Sequence, residues 1–375
     1  MSLPEGNSIV TDLDRELMAL ALTEAKKGLG RTAPNPCVGA VIVSDGIEIS
    51  RGYHKKAGTP HAEIHALNKA GGKAKGAIMY VTLEPCNHTG RTPPCSHAVV
   101  KAGIKKVVVG MMDPNPLVSG SGIRYLRDHG IEVVFGVLEE ECRELNLPFL
   151  KHINTGMPFV IMKAGVSLDG KLSYQKGIPG RMTGPESQQK VHELRNTVDA
   201  ILVGRGTQVA DNPSLTTRLG TQGKDPLRVV LDSSLRISPD AKMLHLASDA
   251  CTLIICSKIV DAEKKESLKR IDNVQIQEIE HDQDGRIALV PLLQFLGDLG
   301  VCSLLVEGGS EIHSSFLRQG MVDRVMLFIA PLFAGSEGTA LLSDFTVNGR
   351  DTAPMLKNVQ YTPCGKDLLL RGDFF

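Results

Sequence analysis

Leu13, Leu17, Leu20 and Ala21 recur at helical spacing along residues 12–27, which close on Lys26-Lys27-Gly28, so this stretch predicts an amphipathic helix with a glycine stop. Residues 38–43 form an apolar run, and Ser44-Asp45-Gly46 is a turn signal before residues 47–53, which predicts a hairpin. A helix is expected near His61, ending before Gly71-Gly72, and residues 78–83 read as a buried strand that delivers Pro85-Cys86 at its end. A short helix follows from Cys95, then strands at 107–109 and 131–135 around a helical segment at 122–129. Alternation of this kind predicts an α/β sandwich with a mainly parallel sheet.

The acidic stretch 139–144 closes this first unit, and residues 146–158, with Lys151, Thr155, Gly156 and Pro158, read as a junction. A second α/β pattern begins at 159–162 and continues through strands at 200–203, 227–231, 253–256, 301–306 and 325–329. Two domains are therefore expected, residues 1–150 and 157–375, and a chain of 375 residues is long enough to give each its own core. Lysine plus arginine equals aspartate plus glutamate, 42 against 42, so the totals hold no basic excess for nucleic acid and point to a small-molecule substrate. No run approaches the roughly 20 apolar residues of a membrane span. Glu5, Asp12 and Asp14 interrupt the N-terminus, which does not read as a signal peptide. Of eight cysteines only Cys86 and Cys95 sit in a pattern, and the other six are expected as reduced, packed thiols of a cytoplasmic protein.

The chemistry concentrates in His61-Ala62-Glu63, Pro85-Cys86 and Cys95. One neutral imidazole and two thiolates suit a catalytic zinc that keeps a fourth position for water, whose pKa it lowers to about 7. Glu63, two residues past the first ligand, is placed to carry protons from that water to a leaving amine, the parts list of hydrolytic deamination. Eight residues separate Cys86 from Cys95, too many for a C-x-x-C knuckle, so residues 87–94 must loop out and return. The competing readings are three buried polar side chains, or a closed structural site that recruits His65, one turn from His61 on the same helix face. His88 and His97 read as loop or surface histidines, and Glu63 could be a solvated helix-start residue. In the second half, Val203-Gly204-Arg205-Gly206-Thr207 and Glu307-Gly308-Gly309-Ser310 follow strands, but neither satisfies G-x-G-x-x-G, so a Rossmann domain is not supported.

The string from Thr82-Leu83-Glu84-Pro85-Cys86-Asn87-His88 to Pro93-Pro94-Cys95, with Pro34-Asn35-Pro36, Val38-Gly39, Gly52-Tyr53-His54 and Asp113-Pro114-Asn115-Pro116, resembles the deaminase half of the bifunctional riboflavin-biosynthesis deaminase–reductases, the RibD family. Lys163 through Gly170, Ala210-Asp211-Asn212-Pro213, Leu215-Thr216 and Val306-Glu307-Gly308-Gly309 are similar to its reductase half. The resemblance implies an α/β protein with an N-terminal cytidine-deaminase-like three-layer domain and a C-terminal dihydrofolate-reductase-like domain. It implies Zn2+ on His61, Cys86 and Cys95, catalysis by Glu63, and a pyrimidine ribotide held by Asn35, His54, Arg91 and Asn115. NADPH would touch Gly165, Arg181, Thr207, Asp211, Ser233 and the stretch Gly309, Ser310, Glu311, Ile312, His313, Ser314 and Ser315. The sugar phosphate would meet Lys163, Pro179, Arg195, Leu215, Arg218 and Glu307, arginine being suited to phosphate by its two-pronged fork.

The implied reactions are deamination of 2,5-diamino-6-ribosylamino-4(3H)-pyrimidinone 5′-phosphate and NADPH reduction of the ribosyl to a ribityl chain. Relatives often carry tryptophan just before the Thr183 position, yet this chain has none and offers Arg181-Met182-Thr183, where Arg181 is expected to meet the NADPH phosphate. A homo-oligomer is expected, with neither nucleic acid nor membrane as partner. The rival readings are a nucleoside, base or tRNA deaminase with an accessory α/β domain, and a non-catalytic zinc-stabilised binding module.

Overall fold

The computed structural model describes residues 10–88, 93–114, 119–178, 180–220 and 223–375. Thr11 opens helix α1 (Asp12–Lys26): its hydroxyl accepts the Asp14 N–H at 3.1 Å while the Asp14 carboxylate accepts the Thr11 N–H at 3.0 Å. Leu17, Met18, Ala21 and Leu22 form the buried stripe of this helix. It lies on strand β1 (Gly39–Ser44), which pairs with β2 (Ile47–Tyr53) as the expected antiparallel hairpin. Next come α2 (Ala62–Ala70), β3 (Ile78–Leu83), α3 (Cys95–Lys101), β4 (Lys106–Met111), α4 (Ser121–Asp128), β5 (Glu132–Phe135), α5 (Glu139–Leu145) and α6 (Leu147–Thr155).

Among the described residues the five strands stand in the order β2-β1-β3-β4-β5. The pairings β2–β1 and β1–β3 are antiparallel, while β3–β4 and β4–β5 are parallel, so the sheet is evenly mixed rather than mainly parallel. Two glycines settle the layers. A Cβ on Gly39 would sit 2.0 Å from the Ala21 carbonyl oxygen of α1, and one on Gly52 would sit 2.6 Å from the Ala66 nitrogen of α2. Gly39 pairs with Tyr53 and Gly52 with Ala40, so the two glycines face opposite sides of the sheet and the two helices cover both faces.

The junction expected at 146–158 does contain the division between the units, after Gly156, but most of it is helical: Leu147–Thr155 forms a helix because Pro148 occupies a first-turn position where its missing N–H costs nothing, and Gly156 supplies the left-handed stop. The acidic stretch before it is helix α5, with Glu139, Glu140 and Glu141 in its first turn, where negative charge is favoured. The chain divides into Met1–Gly156 and Met157–Phe375.

The second unit contains β6 (Phe159–Ser167), α7 (Pro185–Arg195), β7 (Ala200–Gly204), α8 (Arg205–Asp211), β8 (Leu227–Leu231), β9 (Thr252–Cys256), α9 (Ala262–Lys269), β10 (Val274–Glu278), α10 (Leu289–Asp298), β11 (Ser303–Val306), α11 (Ser310–Arg318), β12 (Arg324–Ala330), β13 (Lys357–Cys364) and β14 (Asp367–Asp373). Its nine strands run β10-β9-β8-β7-β11-β6-β12-β14-β13 among the described residues, parallel up to β12 and antiparallel across the last two pairings. Val160, Leu202, Val229, Leu304 and Phe316 are at the centre of its core. No helix among the described residues is long and apolar enough to cross a membrane.

Because the Gly39 site has no room for a methyl group, Gly39→Ala should cost at least about 2 kcal/mol through overpacking against α1. Urea unfolding followed in the first unit checks this, and an unchanged midpoint would mean that α1 can move away freely.

Candidate active sites

His61 is the N-cap residue of α2, with its ring free of any capping bond, and Glu63 lies in the first turn of that helix. Cys86 follows the carboxyl end of β3, and Cys95 opens α3. These three elements bring one donor atom of each ligand residue to within 4.8 Å of the others. His61 Nδ1 lies 3.6 Å from Cys86 Sγ and 3.2 Å from Cys95 Sγ. A tetrahedral zinc with ordinary Zn–N and Zn–S bond lengths needs N···S separations of about 3.6 Å, so this donor set fits the ion. Among the described residues His65 is not one of the clustered donors, and His61, Cys86 and Cys95 form the group.

The Cys95 side chain and His61 hydrogen-bond to Cys86 and hold its thiol down. Cys95, facing that sulfur in a buried place beside Glu63, is pushed up. Zinc binds thiolate, so both sulfurs must be deprotonated when the site is loaded. Glu63 is only 3% exposed, and burial pushes its carboxyl up to about 7.

Asn35 and His54 come together beside this centre. Asn35 Nδ2 is 3.1 Å from His54 Nε2, and His54 Nδ1 is 3.2 Å from the Pro60 carbonyl oxygen. The His54 ring meets the His61 ring edge-on at 5.3 Å. Burial lowers the His54 pKa, so the ring is neutral, with Nδ1–H donating to Pro60 and Nε2 accepting from Asn35. Arg91 and Asn115 lie outside the described residues.

In the second unit, parallel strands end side by side along a cleft of about 1620 Å³. Single-ligand pockets rarely exceed about 1,000 Å³, so the cleft has room for a cofactor and a substrate together. Val306 pairs with Met162, which sets Glu307 beside Lys163. Lys163 Nζ lies 3.0 Å from Glu307 Oε2, and Arg195 donates from Nε to Oε1 at 3.0 Å and from Nη2 to Oε2 at 2.7 Å. Arg195 Nη1 donates to the Thr216 carbonyl at 3.2 Å. The fork that the sequence reading assigned to phosphate is therefore taken by Glu307, while Arg218 lines the cleft with its side chain exposed. Burial alone would raise the Glu307 pKa, but Lys163 and Arg195 outweigh it and hold the carboxyl at about 2.

Gly165, Arg181, Thr207, Asp211, Ser233, Leu215 and Gly309 to His313 line the same cleft, as does Ser315. Ser314 does not line it: it is buried, and its hydroxyl accepts the Ser343 N–H at 2.8 Å. Pro179 lies outside the described residues. A Cβ on Gly308 would meet Ile312 at 2.5 Å, so glycine lets the chain turn straight from β11 into α11. The first turn of that nine-residue helix therefore meets the cleft, with the unpaired N–H groups and positive dipole end that suit a cofactor phosphate. The sequence reading missed Asp169, whose carboxylate accepts from Ser167 Oγ and from the N–H groups of Ala334 and Gly335. It pins the segment that carries the cleft residues Gly338, Thr339 and Ala340.

Fold and sites define a zinc-dependent deaminase joined to an NADPH-dependent reductase. Residues 11–111 match the family described as the cytidine and deoxycytidylate deaminase zinc-binding region, and residues 158–370 match the RibD C-terminal domain. The chain belongs to the RibD family of bifunctional riboflavin-biosynthesis enzymes, which act on small molecules. It is 42% identical to the riboflavin biosynthesis protein RibD of Aquifex aeolicus, over 96% of this chain and 99% of that one. The solved structure of Acinetobacter baumannii RibD superposes with a TM-score of 0.86 at 37% identity, covering 96% of this chain and 98% of that one. A Thermotoga maritima structure, described as a diaminohydroxyphosphoribosylaminopyrimidine deaminase and 5-amino-6-(5-phosphoribosylamino)uracil reductase, matches with a TM-score of 0.82 and 35% identity, over 97% and 99%.

Glu307 has a depressed pKa, so its contribution to stability is present above its ordinary value of 4.5 and is lost as pH falls toward about 2. The stability gap between the native chain and Glu307→Gln should accordingly shrink across that window in denaturant titrations. A gap that does not change with pH would remove the ion-pair account.

Proposed function

We propose that residues 1–150 deaminate 2,5-diamino-6-ribosylamino-4(3H)-pyrimidinone 5′-phosphate and that residues 157–375 reduce the resulting aminouracil ribotide to its ribityl form. The observation that carries the reading is the convergence of His61, Cys86 and Cys95 with a buried carboxylate, Glu63, beside them. The named activities of the Thermotoga maritima relative support the choice of substrate. Bound zinc supplies an activated water, and NADPH supplies the hydride.

His61, Cys86 and Cys95 hold the metal. Glu63, buried beside the ligand cluster, takes a proton from the water and gives it to the departing ammonia. Asn35, held in orientation by neutral His54, presents its amide to the pyrimidine, and Arg91 and Asn115 are assigned to the same substrate on the family resemblance alone. In the reductase, the α11 N-terminus receives cofactor phosphate, Lys163 orients the opened sugar near C1′, Glu307 holds Lys163 in place, and Arg218 meets the substrate phosphate. Arg181 at the cleft edge takes up the cofactor contact for which relatives often use tryptophan. The protein works in the cytoplasm as a homo-oligomer, without nucleic acid or membrane as partner.

A mass-resolved assay of the zinc-loaded chain should give the aminouracil without NADPH and the ribityl product only with it. Absence of both products from a folded, zinc-loaded chain would exclude this substrate. Glu63→Gln should retain zinc but lose roughly 10²- to 10⁴-fold in deamination, while reduction of supplied aminouracil ribotide stays within twofold. Near-normal deamination in that variant would take Glu63 out of the mechanism.

A further inference from the structure

Glu84 stands between the last residue of β3 and Pro85-Cys86, and its side chain is only 3% exposed. Its backbone N–H donates to the Met111 carbonyl at 3.0 Å, extending the β3–β4 pairing by one residue. The carboxylate then collects four backbone N–H groups. Oε2 accepts from Asp113 at 3.2 Å and from Gly120 at 3.0 Å, and Oε1 accepts from Gly122 at 2.9 Å and from Ile123 at 3.2 Å.

Gly120 is the N-cap residue of α4, and Gly122 and Ile123 are in its first turn, so one side chain from the metal strand caps the neighbouring helix. The same carboxylate holds the backbone just after β4, at Asp113. The helix is also pressed against the residue before the metal ligand: a Cβ on Gly122 would sit 2.0 Å from the Pro85 carbonyl oxygen. Pro85, the residue joined to Cys86, thus cannot shift toward α4 without moving it, and α4 is tied to Glu84.

We infer that Glu84 is the positioning residue of the zinc centre, fixing the direction in which Cys86 leaves β3 by locking α4 and the segment after β4 to the strand end. It touches neither the metal donors nor the reacting atoms, and acts through Pro85 and Cys86. The inference rests on the assignment of zinc to His61, Cys86 and Cys95. Groups hydrogen-bonded directly to metal ligands commonly carry about 10- to 100-fold in metal affinity, and Glu84, one step further out, is expected at the lower end of that range. Glutamine has nearly the same shape but turns one acceptor oxygen into a donor facing two N–H groups, so it cannot replace the carboxylate.

The test is competition of the full chain against a chromogenic chelator for Zn2+, at a temperature where every variant is folded. Glu84→Gln should weaken zinc at least tenfold. The control is Leu126→Ala, which empties a fully buried position on α4 without touching the carboxylate; it should lower the melting temperature yet hold zinc within twofold. Glu84→Asp, which keeps the charge but withdraws it by one methylene, should fall between native and glutamine, and it provides the same reading should Glu84→Gln not fold. Native zinc affinity in Glu84→Gln or Glu84→Asp, or an equal loss in Leu126→Ala, would reduce Glu84 to a structural cap and overturn the inference. A native chain that binds no zinc would overturn the metal assignment itself, and this role with it.

Discussion

Where a strand ends and a helix begins, backbone N–H groups point into the same space and have no partner within either element. An acceptor must be found for them, and which acceptor is supplied decides what the seam can do. At the end of β3 the protein supplies its own, the Glu84 carboxylate, and the seam becomes rigid enough to aim a metal ligand. At the end of β11 glycines 308 and 309 supply none, and the first turn of α11 is left facing a cleft where a phosphate can serve. The two halves share one geometric problem and solve it in opposite ways.

Electrostatics follows from those solutions. In the ligand cluster of the first unit, burial is the largest influence on the Glu63 carboxyl and raises its pKa. The reductase cleft buries a carboxyl between two cations, and Glu307 stays ionised as a fixed hub for Lys163 and Arg195. Two buried glutamates thus have opposite pKa shifts, one set by burial and the other by neighbouring charge.

What could be read from the chain was whatever is local in sequence. The 39–53 hairpin and the helix start at His61 are written within short windows, and the ligand triad, though spread over 34 residues, is made of residue types that name their own chemistry. What escaped depends on distance along the chain. Glu84 looked like a neutral part of a motif because its four donors lie 29 to 39 residues away. Arg195 was given to phosphate because nothing local reveals Glu307, 112 residues on. Strands β13 and β14 escaped for another reason: β13 is exposed over nearly its whole length, so no buried face writes an apolar alternation into it. Helix α6 within the junction was not foreseen because a proline and a glycine are as much the ends of a helix as the marks of a linker.

The placement of β14 has a consequence in time. Its partners are β12 on one side and β13 on the other, and Asp373 at its end receives the Arg324 guanidinium. The first unit has all its strands and helices by residue 155, so during synthesis it can fold while the rest of the chain is still being made. The second unit cannot. Until residue 373 has left the ribosome, β12 presents an unpaired edge beside the nascent chain, and such edges are templates for pairing with the wrong strand. The unit whose central strand waits for a later-made partner is therefore the more exposed of the two to misassembly.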